Sequence, residues 1–314
     1  MSIEKRIKKN YDLTPLTTFK IGGRAEFFVV VKNKEELIEA INWAKIKKLP
    51  LSFFAGGSNI LITKKKIRGL VIKILGVKYS VKENIITCWA GTSLSKLAGI
   101  TSNSGLSGLE WALGVPGSLG GAVRGNAGAY GSDISKQVVE VEVYDIAKGR
   151  LLKLAKRGCG FSYRHSIFKQ SKNFIIVNVK LKLNSGQTAE VKNIAKRNLR
   201  NRMLTNPPEP SAGCIFKNLE YKKLIKENRE LANDLMAKEL FRGGKIGTSY
   251  LIDQLGFKGQ ARGGAKVSEK HANFIVNTGE AKVKDVIKLI NLIKKKIKHQ
   301  YKINLEEEIE YFGG

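Results

Sequence analysis

Acidic residues are scarce in this chain of 314 residues: 27 Asp and Glu stand against 56 Lys and Arg. Cysteine is scarcer still, with only Cys88, Cys159 and Cys214. Three scattered thiols exclude a disulfide framework and point to a reducing compartment, so a cytoplasmic protein is expected. No Cys or His pair has metal-ligand spacing, and no metal is expected. No apolar run approaches the roughly 20 residues that a membrane helix needs. The basic start, with Lys5, Arg6, Lys8 and Lys9, is not followed by the apolar stretch of a signal peptide. A soluble protein with no membrane partner is therefore expected. The 32 glycines follow no triplet period, which excludes collagen, and no internal repeat is visible.

What is present is enough apolar material for real cores. Hydrophobic residues make up 42% of the chain, and its length suits two or three lobes. The formal charge of +29 first raises nucleic acid as a partner. Two observations argue against it. The lysines are spread along the chain, with only short runs such as Lys64-Lys65-Lys66 and Lys294-Lys295-Lys296. Abundant Lys, Ile and Asn is also the composition that an AT-biased genome imposes. Anionic small ligands fit the charge at least as well, and no nucleic-acid partner is expected.

The hydrophobic pattern predicts a strand over 25–31, then a helix carrying Leu37, Ile38, Ile41 and Ala44, capped by Asn33 and closed by Pro50. Strands follow at 51–54 and 60–62, a helix at 93–102, and strands at 138–144 and 174–183. In the last of these, Ile176, Asn178, Lys180 and Lys182 should share one face. A charged helix is expected over 190–203, stopped by Asn206-Pro207-Pro208-Glu209-Pro210, which marks the clearest domain boundary. A helix with Val283, Val286, Ile287, Ile290, Ile293 and Ile297 on one face closes the chain.

Two glycine-rich segments carry the first chemical signal. In Gly56-Gly57-Ser58-Asn59, reached from a strand, glycines let the backbone approach a phosphate, and Ser58 and Asn59 add side-chain donors. The second runs from Gly114 through Pro116, Gly117, Ser118, Gly120 and Gly121 to Asn126-Ala127-Gly128-Ala129-Tyr130-Gly131. Neither copies the GxGxxG dinucleotide fingerprint or a P-loop, and either alone is compatible with an ordinary loop.

In order along the chain stand Thr18-Phe19-Lys20-Ile21-Gly22-Gly23, 56–59, 114–131, Phe161-Ser162-Tyr163-Arg164-His165-Ser166, Pro210-Ser211-Ala212-Gly213-Cys214-Ile215-Phe216-Lys217-Asn218, Leu251-Ile252-Asp253, and His271-Ala272-Asn273-Phe274-Ile275-Val276-Asn277. This series resembles the UDP-N-acetylenolpyruvoylglucosamine reductase family of early peptidoglycan synthesis, over almost the whole chain. It looks like the shorter class, since no room remains after Arg164 for an extra tyrosine-bearing loop. The resemblance implies an α+β protein: a two-lobe FAD-binding module of the vanillyl-alcohol oxidase (PCMH) type at 1–68 and 69–200, then a C-terminal α/β substrate-binding domain at 201–314.

It further implies non-covalent FAD, NADPH as hydride donor, UDP-N-acetylglucosamine-enolpyruvate as substrate, and a monomer. Gly56, Gly57, Ser58, Asn59, Pro116, Gly117, Ser118, Gly120, Gly121, Asn126, Ala127 and Gly128 are expected at the cofactor. Hydride addition to the enolpyruvyl group leaves an enolate whose carbon must be protonated. Cys214 occupies the family's catalytic serine position, and a thiol is a stronger acid than a hydroxyl. Arg164 is expected to grip the developing enediolate, and Glu308, chosen by its register after Leu305, to assist. Lys217, Asn218 and Tyr130 are the expected substrate contacts; Tyr130 and His271 are equally compatible with packing. Cys88 and Cys159 are expected to be structural. Departures are Cys214 for serine, Leu219 for a common proline and Ala55 for a third glycine. The competing readings are a flavin oxidase of the same fold and a basic nucleic-acid-binding protein.

Overall fold

The structure, a computed structural model, describes residues 2–313. The chain divides into two compact units. The first takes the chain up to Leu13, Arg24–Gly56 and Lys66–Arg202; the second takes Thr14–Gly23, Gly57–Lys65 and the chain from Met203 onward.

Beside two short two-stranded ladders, Gly128–Ala129 with Ser132–Asp133 and Leu106–Ser107 with Asn184–Ser185, the first unit holds two larger sheets. One is four-stranded, in the order Lys8–Asp12, Arg24–Val31, Lys66–Ile74, Leu51–Phe54, with its first pair antiparallel and the others parallel. The helix Lys34–Ile46 buries Leu37, Ala40, Ile41 and Ala44, and the Asn33 side chain caps it by accepting from the Glu36 amide at 2.9 Å. The second sheet is antiparallel, in the order Arg150–Ala155, Val138–Asp145, Phe174–Lys182, Ile85–Trp89, Tyr79–Lys82. Its core includes residues of the helices Leu94–Asn103 and Leu119–Gly125.

The strand Phe174–Lys182 departs from the single-face expectation. Its pairing with Val138–Asp145 jumps from Ile176↔Val143 to Asn178↔Glu142. That irregularity shifts the alternation by one residue, so Ile176 packs in one cluster with Val179 and Leu181, while Asn178 and Lys180 stay half-buried. The charged helix runs over Thr188–Thr205 and stops just before Pro207-Pro208.

The second unit is built on an antiparallel sheet, Ser211–Cys214, Phe274–Asn277, Ala265–Val267, Ala261–Arg262. The helix Val283–Tyr301 buries Val286, Leu289, Ile290, Ile293 and Ile297. Three shorter helices, Tyr221–Glu227, Arg229–Ala237 and Thr248–Gln254, were not predicted from the sequence pattern.

Two segments early in the chain belong to this unit although they are distant from it in sequence. Phe19, Ile21 and Leu61 are buried in its core. Ile60–Ile62 pairs in parallel with Glu310–Phe312, the Thr18 hydroxyl donates to the Ser211 carbonyl at 2.7 Å, and the Asn277 side-chain Nδ2 donates to the Phe19 carbonyl at 3.1 Å. Among the described residues no helix is long and apolar enough to cross a membrane.

Candidate active site

In the first unit the two glycine segments meet backbone to backbone. A Cβ placed on Gly56 would lie 2.5 Å from the Gly117 Cα, so only glycine permits this approach. Gly117 itself has φ +115, a conformation that side chains disfavour. A Cβ on Gly120 would lie 2.8 Å from the Ala90 Cβ, and one on Gly128 would lie 2.3 Å from the Ser132 carbonyl oxygen. Pro116 and Gly121 are exposed at this surface, and Ala127 is half-buried.

The amides of 119–121 are already engaged. Leu119 and Gly120 donate to the carbonyls of Thr92 and Ala90, both at 2.8 Å, and Gly121 donates to the Ser118 hydroxyl at 3.1 Å. The amides of 119–121 are therefore not a row of available donors. Asn126 caps the helix Leu119–Gly125 in the left-handed conformation, φ +43. Its side chain donates to the Ser162 carbonyl at 2.8 Å and accepts from the Ser135 amide at 3.2 Å. At Gly56, Gly120 and Gly128 a Cβ would strike protein atoms, so close packing of chain on chain, rather than an open groove, is what requires glycine in this cradle.

Arg164 stands beside the same segment with φ +53. Its guanidinium donates to the Gly128 carbonyl at 3.1 Å and to the Asn126 carbonyl at 3.5 Å, and sits 5.4 Å from the centre of the Tyr163 ring. Tyr130 is 49% exposed. Its hydroxyl donates to the Asn198 carbonyl at 3.0 Å, and the Arg202 guanidinium lies 5.6 Å from its ring centre, an organisation that the sequence reading did not foresee.

The second unit holds Gly57, Ser58, Asn59, Cys214, Lys217, Asn218 and Glu308. Gly57 has φ +62, and a Cβ there would lie 2.8 Å from the Leu16 carbonyl oxygen. The Asn59 side-chain amide donates to the Glu308 carbonyl at 3.0 Å, and the Asn59 carbonyl accepts from the Glu310 amide at 2.9 Å. Asn59 therefore braces the segment carrying Glu308.

Cys214 ends the strand Ser211–Cys214 and follows Gly213, whose φ is +80. Residues 215–217 then pair with 306–308: the Glu308 amide donates to the Ile215 carbonyl at 2.7 Å, the Lys217 amide donates to the Glu306 carbonyl at 2.9 Å, and Phe216 bridges Glu307. The segment bearing the thiol and the segment bearing the acid are thus neighbours in one ladder.

The three adjacent glutamates are distinguished by their partners. Glu306 is ion-paired with Lys217 at 3.0 Å and with Lys223; the Lys223 and Lys217 ammonium groups hold its carboxyl below the usual range. Glu307 pairs with Lys294 at 2.8 Å and accepts from the Tyr311 hydroxyl at 2.5 Å. Burial, and then that bond, push the Tyr311 hydroxyl up. Glu308 is half-buried. Lys217, expected at the substrate, spends its ammonium on Glu306. Asn218 is exposed, with its side-chain oxygen 3.4 Å from the Thr248 amide.

The thiols divide in the same way. Burial raises Cys88 and Cys159 to about 11, whereas Cys214 is half-exposed. Because the thiolate is the nucleophile, a thiol raised this far reacts slowly near pH 8. Brief iodoacetamide treatment of the native protein at pH 8 is expected to label Cys214 first, read by peptide mass. Earlier labelling of Cys88 or Cys159 would contradict this assignment.

Residues 25–155 match the family model described as an FAD binding domain. This places the first unit among flavin-binding modules. Residues 205–312 match the model for the UDP-N-acetylenolpyruvoylglucosamine reductase C-terminal domain. The curated UDP-N-acetylenolpyruvoylglucosamine reductase of Prochlorococcus marinus is 36% identical over 312 residues, covering 98% of each chain. That of Caldanaerobacter subterraneus is also 36% identical, covering 99% of this chain and 95% of its own. The crystal structure of the Thermus caldophilus UDP-N-acetylenolpyruvylglucosamine reductase superposes with a TM-score of 0.78 at 30% identity, covering 98% of this chain and 99% of that one. The chain belongs to the UDP-N-acetylenolpyruvoylglucosamine reductase family. The expected α+β fold, with a flavin-binding module followed by the family's C-terminal domain, is the fold observed.

Proposed function

We propose that the chain reduces the enolpyruvyl group of UDP-N-acetylglucosamine-enolpyruvate to give UDP-N-acetylmuramate, with NADPH as donor, as a cytoplasmic monomer without nucleic-acid or membrane partners. The observation that carries the reading is the ladder joining 215–217 to 306–308, which puts a thiol and an acid on adjacent segments of one unit in a chain whose other unit holds the glycine cradle.

FAD, when bound, supplies hydride transfer between NADPH and the substrate. Gly56, Gly117, Gly120 and Gly128 would hold it by close backbone approach, and Ser118 and Asn126 keep that backbone in shape through their own hydrogen bonds. Arg164 presents a fixed cation to the negative charge that develops on the substrate carboxylate. Cys214 delivers the proton that completes reduction, and Glu308 acts beside it on the same ladder. Asn218 and Tyr130 are retained as substrate contacts. Lys217 is assigned to ordering Glu306, and through it the ladder.

The test is a spectrum and a turnover assay on purified protein. Bound flavin that acid precipitation releases entirely to the supernatant, and NADPH oxidation that depends on the enolpyruvyl substrate, are the expected results. Flavin left in the pellet, or turnover of an alcohol with oxygen, would favour the oxidase reading. A colourless protein that FAD cannot reconstitute, and that binds duplex DNA at nanomolar concentration in about 0.15 M salt, far below the usual 10⁻⁴ to 10⁻⁶ M for non-specific binding, would favour the nucleic-acid reading.

A further inference from the structure

The sheet strand Phe274–Asn277 runs beside Ser211–Cys214 only as far as the Cys214↔Phe274 pair. One residue further, the Ile215 amide still finds the Asn273 carbonyl, at 2.8 Å. There the neighbouring chain turns away, with the Phe274 amide closing back onto the His271 carbonyl at 2.9 Å. The next residue, Phe216, is only 1% exposed, so water cannot satisfy its main chain. The Asn273 side chain does so instead. Its Oδ1 accepts from the Phe216 amide at 2.9 Å, and its Nδ2 donates to the Phe216 carbonyl at 2.8 Å.

A carboxamide carries the same donor and acceptor as a peptide unit, so Asn273 extends the sheet edge by one residue without a backbone. It is itself 2% exposed. Its own amide lies 3.3 Å from His271 Nδ1, and burial lowers the His271 imidazole, which keeps it neutral near pH 7 and able to accept there. On its other side the 215–217 segment is bonded to 306–308. Asn273 therefore clamps the chain that leaves Cys214 and fixes its register against the segment that carries Glu308.

We infer that Asn273 is a positioning residue for Cys214, acting through the Phe216 main chain. The inference rests on the reading of Cys214 as proton donor. It is specific about the side chain: Asn273→Asp would keep the acceptor but set a carboxylate oxygen against the Phe216 carbonyl, and Asn273→Ala would lose both bonds.

The experiment uses holoenzyme of the wild type, Asn273→Ala and Asn273→Asp, each checked for flavin content and cooperative unfolding. Two readouts are taken: the two half-reactions by stopped flow, and the rate of Cys214 alkylation. Misplacement of a reacting group by about 1 Å costs roughly 10²-fold. Reoxidation by the enolpyruvyl substrate should therefore slow by about 10- to 100-fold, with flavin reduction by NADPH unchanged and the alkylation rate altered. Folded variants with wild-type reoxidation and wild-type alkylation overturn the inference. Equal loss in both half-reactions also overturns it, since that is the mark of general structural damage. If the wild type itself does not react with the enolpyruvyl substrate, the proposed function fails, while altered alkylation in the variants still supports the positioning of Cys214.

Discussion

Cys214→Ala is expected to separate the two half-reactions. Flavin reduction by NADPH should proceed at close to the wild-type rate, whereas reoxidation by the enolpyruvyl substrate should slow by about 10²–10⁴-fold, the usual cost of losing a positioned proton donor. The truncation removes one half-exposed sulfur from the end of a strand and leaves every main-chain bond of 215–217 in place. Cys214→Ser should retain much of the rate, because a hydroxyl in the same position can donate the same proton. Stopped-flow absorbance at the flavin band measures both steps. If Cys214→Ala slows both equally, the thiol supports structure or cofactor rather than proton transfer.

The second large effect is expected at the crossing of the glycine segments. Gly56→Ala would drive a methyl to 2.5 Å from the Gly117 Cα, and the atoms it meets are all main chain, which cannot rotate aside. Overpacking of this kind costs about 3 kcal/mol at the upper end of the usual range, which corresponds to roughly 100-fold in FAD affinity if the strain falls on the cradle. Fluorescence titration of the apoprotein with FAD gives the Kd directly. An unchanged Kd in a folded Gly56→Ala variant would show that the crossing does not border the cofactor. Gly213→Ala offers a contrast. A Cβ there meets nothing within 4 Å, so only the φ of +80 opposes it, at about 1–2 kcal/mol for an L-residue forced into left-handed geometry.

The elements with strong local patterns were legible in the sequence. The 25–31 strand, the helix capped by Asn33 and the amphipathic closing helix are set by period and by a short-range cap, and they lie where the pattern puts them. Local pattern failed where a neighbour intervened. The bulge in Phe174–Lys182 moves Ile176 into phase with Val179 and Leu181, which follows from pairing with another strand and leaves no mark in the strand's own residues. Of the three short helices between 221 and 254, Tyr221–Glu227 and Thr248–Gln254 have too few turns to define an apolar stripe, whereas Arg229–Ala237 has an amphipathic pattern and an Asn228 cap that the reading passed over.

At the candidate site the division is the same. The sequence by itself determined the residue types and their order: glycines where the backbone must pass closely or take positive φ, a thiol after Gly213, an arginine after Tyr163 and a run of acids after Leu305. These are local chemical requirements, and motifs record them. Only the tertiary structure decided which groups meet. It placed 14–23 and 57–65 with the last third of the chain, tied Glu306 and Glu307 to lysines, and put the Glu308 amide on the Ile215 carbonyl. It gave Asn59 to the Glu308 main chain and Asn273 to that of Phe216. The physical reason is that the hydrogen bonds use main-chain donors and acceptors, which every residue but proline possesses alike, and the ion pairs use Lys and Glu, which recur throughout the chain, so the partners become visible only when distant segments lie side by side.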